Sequence, residues 1–91
     1  MLIKQAEIKI TGLVQGVFFR QAVKTEAAGL GLTGWVRNEA DGSVLVVVEG
    51  EEDKLQELVR WCKKGTELSK IENVEVEWKQ GGGKFSDFLV R

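Results

Sequence analysis

The chain has 91 residues, 13 of them basic and 14 acidic, for a net charge of −1, and it holds no histidine, proline or tyrosine and one cysteine. Without histidine there is no Ser–His–Asp or Cys–His nucleophile, no imidazole base and no histidine-ligated metal. One cysteine excludes an internal disulfide and a thiolate metal cluster, so any chemistry must use Arg, Lys, carboxylates, amides, hydroxyls and the backbone.

The length fits one domain, residues 1–91, with a small core. A hydrophobic fraction of 43% is enough to fill that core. No apolar run approaches the ~18–20 residues that span a bilayer, and Glu7 and Lys9 interrupt the opening segment before it can act as a signal peptide. Together with a single cysteine this reads as a cytoplasmic protein that engages no membrane. The near-neutral balance argues against nucleic acid as a partner, because a bound polyanion asks for a basic surface.

From Ala6 to Thr11 the residues alternate, with Ala6, Ile8 and Ile10 on one face, which predicts a half-buried strand. Gly12 to Phe18 has two glycines and no clean period and reads as a loop. From Phe19 the apolar spacing changes to Phe19, Ala22, Val23, Ala27 and Leu30, one helical stripe that Gly29 or Gly31 can end. Leu32–Asn38 and Ser43–Glu49 read as strands joined through Glu39-Ala40-Asp41-Gly42, whose Asp-Gly pair signals a hairpin. Glu51, Glu52 and Asp53 open a second helix at its positive dipole end. Lys63, Lys64 and Gly65 close it, and its stripe is Leu55, Leu58, Val59 and Cys62. Val74, Val76 and Trp78 alternate as another strand, and after Gly81-Gly82-Gly83 a short strand runs from Phe85 to Val90. The order β-α-β-β-α-β plus a terminal strand predicts an α+β, ferredoxin-like sandwich: an antiparallel sheet with two helices on one face. Leu45 and Val47 then point to the uncovered face. They read as an apolar surface spot more readily than as a dimer contact, and the chain as a monomer.

Two segments can carry chemistry. In Gly12-Leu13-Val14-Gln15-Gly16-Val17-Phe18-Phe19-Arg20, Gly16 lets successive N–H groups curl into one concavity, and the helix beginning at Phe19 adds its free N–H groups. Arg20 brings a planar fork of donors suited to phosphate, although a cation in the first turn opposes the helix dipole. Neither GxxxxGK nor GxGxxG occurs within this loop. In Gly34-Trp35-Val36-Arg37-Asn38, Asn38 ends a strand with an amide that can both donate and accept, and on its own it reads equally as a turn former.

Together the segments closely resemble the acylphosphatase family. The resemblance rests on G-x-V-Q-G-V-x-F-R (Gly12 to Arg20), G-W-V-R-N-x-x-D-G-x-V (Gly34 to Val44), Gly50 at the expected distance and the ending F-S-D-F-L-V-R. Leu13 departs from the basic or polar residue of many members, and Gly50-Glu51 and Gly65-Thr66 stand where Gly-Pro pairs are frequent. The resemblance implies hydrolysis of the carboxyl–phosphate bond of acyl phosphates by direct water attack, without a cofactor or metal. It implies that Arg20 binds the phosphoryl group with the loop N–H groups of Gln15, Gly16, Val17, Phe18 and Phe19, that phosphate or sulfate can occupy the same place, and that Asn38 orients the water. The alternative is a non-catalytic module of the same family that binds phosphate or a small molecule.

Overall fold

The computed structural model describes residues 2–91. The first strand, β1 (Ile3–Leu13), buries Ala6, Ile8 and Ile10 completely, as the alternation requires. It runs two residues further than the pattern predicts, through Gly12 and Leu13. These pair with Ile71 and Lys70 after a register shift at Thr11 and Gly12. Gly12 has φ +132°, and a Cβ there would sit 2.0 Å from the Lys70 carbonyl oxygen, so only glycine lets the two backbones approach at this point. That close approach fixes where the following loop leaves the sheet.

Helix α1 (Phe19–Gly29) turns Phe19, Val23 and Ala27 into the core. Strands β2 (Thr33–Asn38) and β3 (Val44–Glu51) form the expected hairpin, with Gly42 at φ +92° in the turn. Helix α2 (Glu52–Lys64) buries Leu55, Leu58, Val59 and Cys62. It carries Glu52 and Asp53 in its first turn and Lys63 and Lys64 in its last, charges that complement the helix dipole. The Gly65 N–H closes it on the Trp61 carbonyl at 2.8 Å. Strand β4 (Lys70–Gln80) lies at one edge and the short β5 (Phe88–Val90) at the other.

The sheet order is β4-β1-β3-β2-β5. The four strands of the β-α-β-β-α-β unit are mutually antiparallel neighbours, and β5 adds to β2 in parallel, which makes the five-stranded sheet mixed. Val44, Val46 and Val48 face the helices and are fully buried. On the opposite face Val47 is also buried, at 7% exposure, because Glu7 and Trp35 flank it in register, and Leu45 is half-buried. Leu45 and Val47 therefore do not form an exposed apolar pair. Two guanidinium groups lie over the Trp35 ring there, those of Arg37 at 4.8 Å and Arg91 at 4.9 Å from its centre. Among the described residues no helix is long and apolar enough to cross a membrane.

The segment between β4 and β5 must travel from one sheet edge to the other. Glu49 holds it: this carboxylate is 2% exposed and accepts the N–H groups of Gly82 and Lys84, each at 3.0 Å. Two charge-assisted bonds to backbone explain how a carboxylate is tolerated inside the protein.

Candidate active site

The segment Val14–Phe18 leaves the end of β1 and folds over the N-terminus of α1. Val14 is buried and Val17 packs against the core, so apolar side chains pin the loop while its backbone faces outward. Gly16 (φ +74°) and Phe18 (φ +60°) both adopt the left-handed conformation. A Cβ on Gly16 would meet nothing within 4 Å, so the backbone and not space selects glycine. Phe18 is the one non-glycine residue with positive φ among the described residues. Such a backbone costs about 1–2 kcal/mol for an L-residue and persists only where its surroundings impose it.

Left-handed residues at 16 and 18 curl the backbone, and such a curl lets neighbouring amides converge as in an anion nest. Among the described residues no acceptor pairs with a backbone N–H from Gln15 to Gln21, and α1 has no side-chain cap. Seven donors are therefore available at the opening of a helix whose dipole favours negative charge. The first turn of α1 contains no acidic residue.

Beside these amides is a cavity of about 340 Å³ lined by Val14, Gly16, Phe18, Phe19, Arg20, Gln21, Asn38 and Val90. Arg20 is half-buried, and its Nη1 donates to the Arg91 carbonyl at 2.7 Å, which holds the guanidinium against the end of β5. Asn38 ends β2, and its Oδ1 is a buried side-chain oxygen with no hydrogen-bond partner, the one such atom among the described residues. An orphaned buried acceptor costs about 1–3 kcal/mol and calls for a ligand or a water to fill it.

Of the residues expected from the sequence, Gly16, Phe18, Phe19, Arg20 and Asn38 meet at this cavity, while Gln15 and Val17 do not line it. The Gln15 side chain turns instead to the hairpin, where Nε2 donates to the carbonyls of Glu39 (2.8 Å) and Ser43 (2.9 Å). It fastens the loop to the segment that immediately follows Asn38. Sequence reasoning missed Val14, Gln21 and Val90 as wall residues and the Arg91 carbonyl as the partner of Arg20.

The two carboxylates that follow Asn38 in the chain are engaged elsewhere. Glu39 accepts Arg37 Nε at 3.1 Å. Asp41 accepts the Ser43 hydroxyl at 2.5 Å and the Ser43 N–H at 2.9 Å, and Lys9 Nζ stands 3.0 Å from its other oxygen. Those bonds from Ser43, then the ammonium of Lys9, hold the Asp41 carboxyl far below the usual carboxylate range, and Asp41 in turn raises Lys9. Cys62 lies on the buried stripe of α2, and burial, aided by the charge of Glu26, pushes its thiol up to about 12. It is a core residue and no nucleophile at neutral pH. Trp61 stacks on Phe19 with ring centres 5.7 Å apart, steadying the first residue of α1 from beneath.

A small ferredoxin-like sandwich with unpaired amides, an arginine and a buried amide oxygen around one cavity defines the structural class. Residues 6–90 match the family model Acylphosphatase. The chain is 47% identical over 87 residues to an acylphosphatase from Anaeromyxobacter, covering 96% of this chain and 94% of that protein. It is 43% identical over 86 residues to one from Pelotomaculum thermopropionicum, covering 94% of each. The crystal structure of acylphosphatase from Bacillus subtilis superposes with a TM-score of 0.93 at 36% identity, covering 97% of this chain and 98% of that one. The chain belongs to the acylphosphatase family.

Proposed function

We propose that this chain hydrolyses the carboxyl–phosphate bond of acyl phosphates in the cavity between the 14–18 loop and Asn38, by direct attack of water on phosphorus. The observation that carries this reading is the meeting of unpaired N–H groups and the Arg20 guanidinium with the orphaned Asn38 oxygen around one cavity.

The phosphoryl oxygens sit on the loop amides and Arg20, where the charge that develops on the equatorial oxygens meets preorganised donors. Asn38 Oδ1 accepts a hydrogen bond from the attacking water and so aims the water's lone pair at phosphorus. The water oxygen–phosphorus bond forms as the phosphorus–oxygen bond to the acyl group breaks. The leaving carboxylate needs no proton near neutral pH, because its conjugate acid ionises near pH 4. The water proton passes to a phosphoryl oxygen, since no carboxylate, thiol or imidazole lines the cavity. Products are a carboxylate and inorganic phosphate, with atoms and charge balanced.

Phosphate release from benzoyl phosphate tests the assignment. Arg20→Ala should lower kcat/KM by the equivalent of about 2–5 kcal/mol, as when one member of a desolvated charge pair is removed. An Arg20→Ala protein that hydrolyses benzoyl phosphate at the parent rate would falsify the site.

A further inference from the structure

Phe18 combines two unfavourable features. Its backbone is left-handed, and the residue is 83% exposed, the most exposed phenylalanine of the described residues. The ring adds little to the core, and its backbone conformation suits glycine or asparagine better. A residue that is strained and solvent-facing while lining the cavity points to work at that cavity.

The in-line geometry of phosphoryl transfer says which work, and this step rests on the function proposed above. The attacking water and the leaving oxygen lie on opposite sides of phosphorus. Asn38 Oδ1 is buried, so the water is at the floor of the cavity. The leaving acyl group is therefore directed to the mouth. The exposed wall residues are Gly16, Phe18, Gln21 and Val90, the last 38% exposed, and of these Phe18 and Val90 carry apolar side chains.

We propose that Phe18 is a specificity-determining residue, whose ring packs with Val90 against the acyl group and favours acyl phosphates with aromatic or bulky apolar acyl groups. An aromatic acyl group covers the ring face and removes it from water, whereas an acetyl group offers one methyl to the same surface. The loop is held from elsewhere, through Val14, Val17 and the Gln15 amide, so the ring is free to serve the substrate.

The experiment compares kcat/KM for benzoyl phosphate and acetyl phosphate in the parent protein, Phe18→Asn, Phe18→Gly and Phe18→Tyr. Asparagine and glycine accept the left-handed backbone, so either keeps the test alive if the other fails to fold. The ratio of benzoyl to acetyl phosphate kcat/KM should fall about tenfold in Phe18→Asn and Phe18→Gly, mainly through the KM for benzoyl phosphate. Phe18→Tyr should restore the ratio to within about twofold of the parent. A ratio unchanged in the folded variants, whether both rates drop together or neither does, overturns the acyl role. Failure of the parent to hydrolyse either substrate overturns instead the proposed hydrolysis on which the inference rests.

Discussion

Asn38 occupies a position where a turn former would serve equally well, yet the β2–β3 turn is closed by other groups. The Glu39 N–H bonds the Ser43 carbonyl at 2.8 Å, and Asp41 caps Ser43. The Asn38 amide oxygen is thus left without a partner in the turn. If it orients the water, Asn38→Ala should lower kcat by about 100-fold, in the range seen when one preorganised polar group is removed from a transition state. Competitive inhibition by inorganic phosphate should move by less than about threefold. A variant whose only defect is a raised KM would make Asn38 a substrate-binding group. Arg20 and Asn38 were both legible in the sequence through the two motifs that contain them. Their partners were not. The Arg91 carbonyl that steadies Arg20 and the hairpin carbonyls that occupy Gln15 lie in distant parts of the chain, and the partnerships exist only once the sheet has formed.

At the level of elements, periodicity gave the helix stripes and the covered face of β3 correctly, because burial on one side imposes a period on the side chains. It stopped β1 too early. Gly12 and Leu13 look like loop in isolation, and their strand character depends on the Lys70 and Ile71 backbone alongside. The β2–β3 turn shows how a short element acquires a pH response. Ser43 and Lys9 hold the Asp41 carboxylate well below its ordinary value of 3.8. A carboxyl depressed in the folded state stabilises fully above the unfolded value, and the contribution disappears as pH falls toward the folded one. The parent should therefore be more stable than Asp41→Ala at pH 7, with the gap narrowing progressively below about pH 4. Chemical denaturation of both proteins across this range gives the measurement. A gap that stays constant down to pH 2 would show that the Asp41 side chain acts through packing alone.

Across the whole molecule, two devices organise the long connections: Gln15 fastens the loop to the β2–β3 turn, and Glu49 fastens the β4–β5 crossover to β3. The second was invisible in the sequence. Glu49 ends a run of valines and looks like the polar end of a strand, and nothing local distinguishes a buried anchor from a solvated acid. Removing it leaves the Gly82 and Lys84 amides without their acceptor. Glu49→Ala should destabilise the fold by about 2–4 kcal/mol, and Glu49→Gln, which retains one acceptor oxygen, by less. Urea unfolding followed by tryptophan fluorescence would report both, and a Glu49→Ala protein as stable as the parent would remove Glu49 from this role.

The pairing of β1 also governs how the protein must be assembled in time. Its neighbours are β3 and β4, and Lys4 meets Gln80, so the centre of the sheet closes only when nearly the whole chain has been gathered. Loop-closure entropy is spent before those contacts return anything, which places refolding in the millisecond-to-second range of sheet-rich domains. The sequence contains no proline, so no population of wrong prolyl isomers accumulates in the unfolded chain. Refolding should therefore be free of the phase lasting tens of seconds that isomerisation imposes, and its rate should not depend on how long the protein was kept unfolded. Double-jump stopped-flow fluorescence reads this directly: a slow phase that grows with unfolding time would contradict it. The same topology that carries the amide loop and Asn38 to one cavity makes the search for that arrangement the slow step in forming a working molecule.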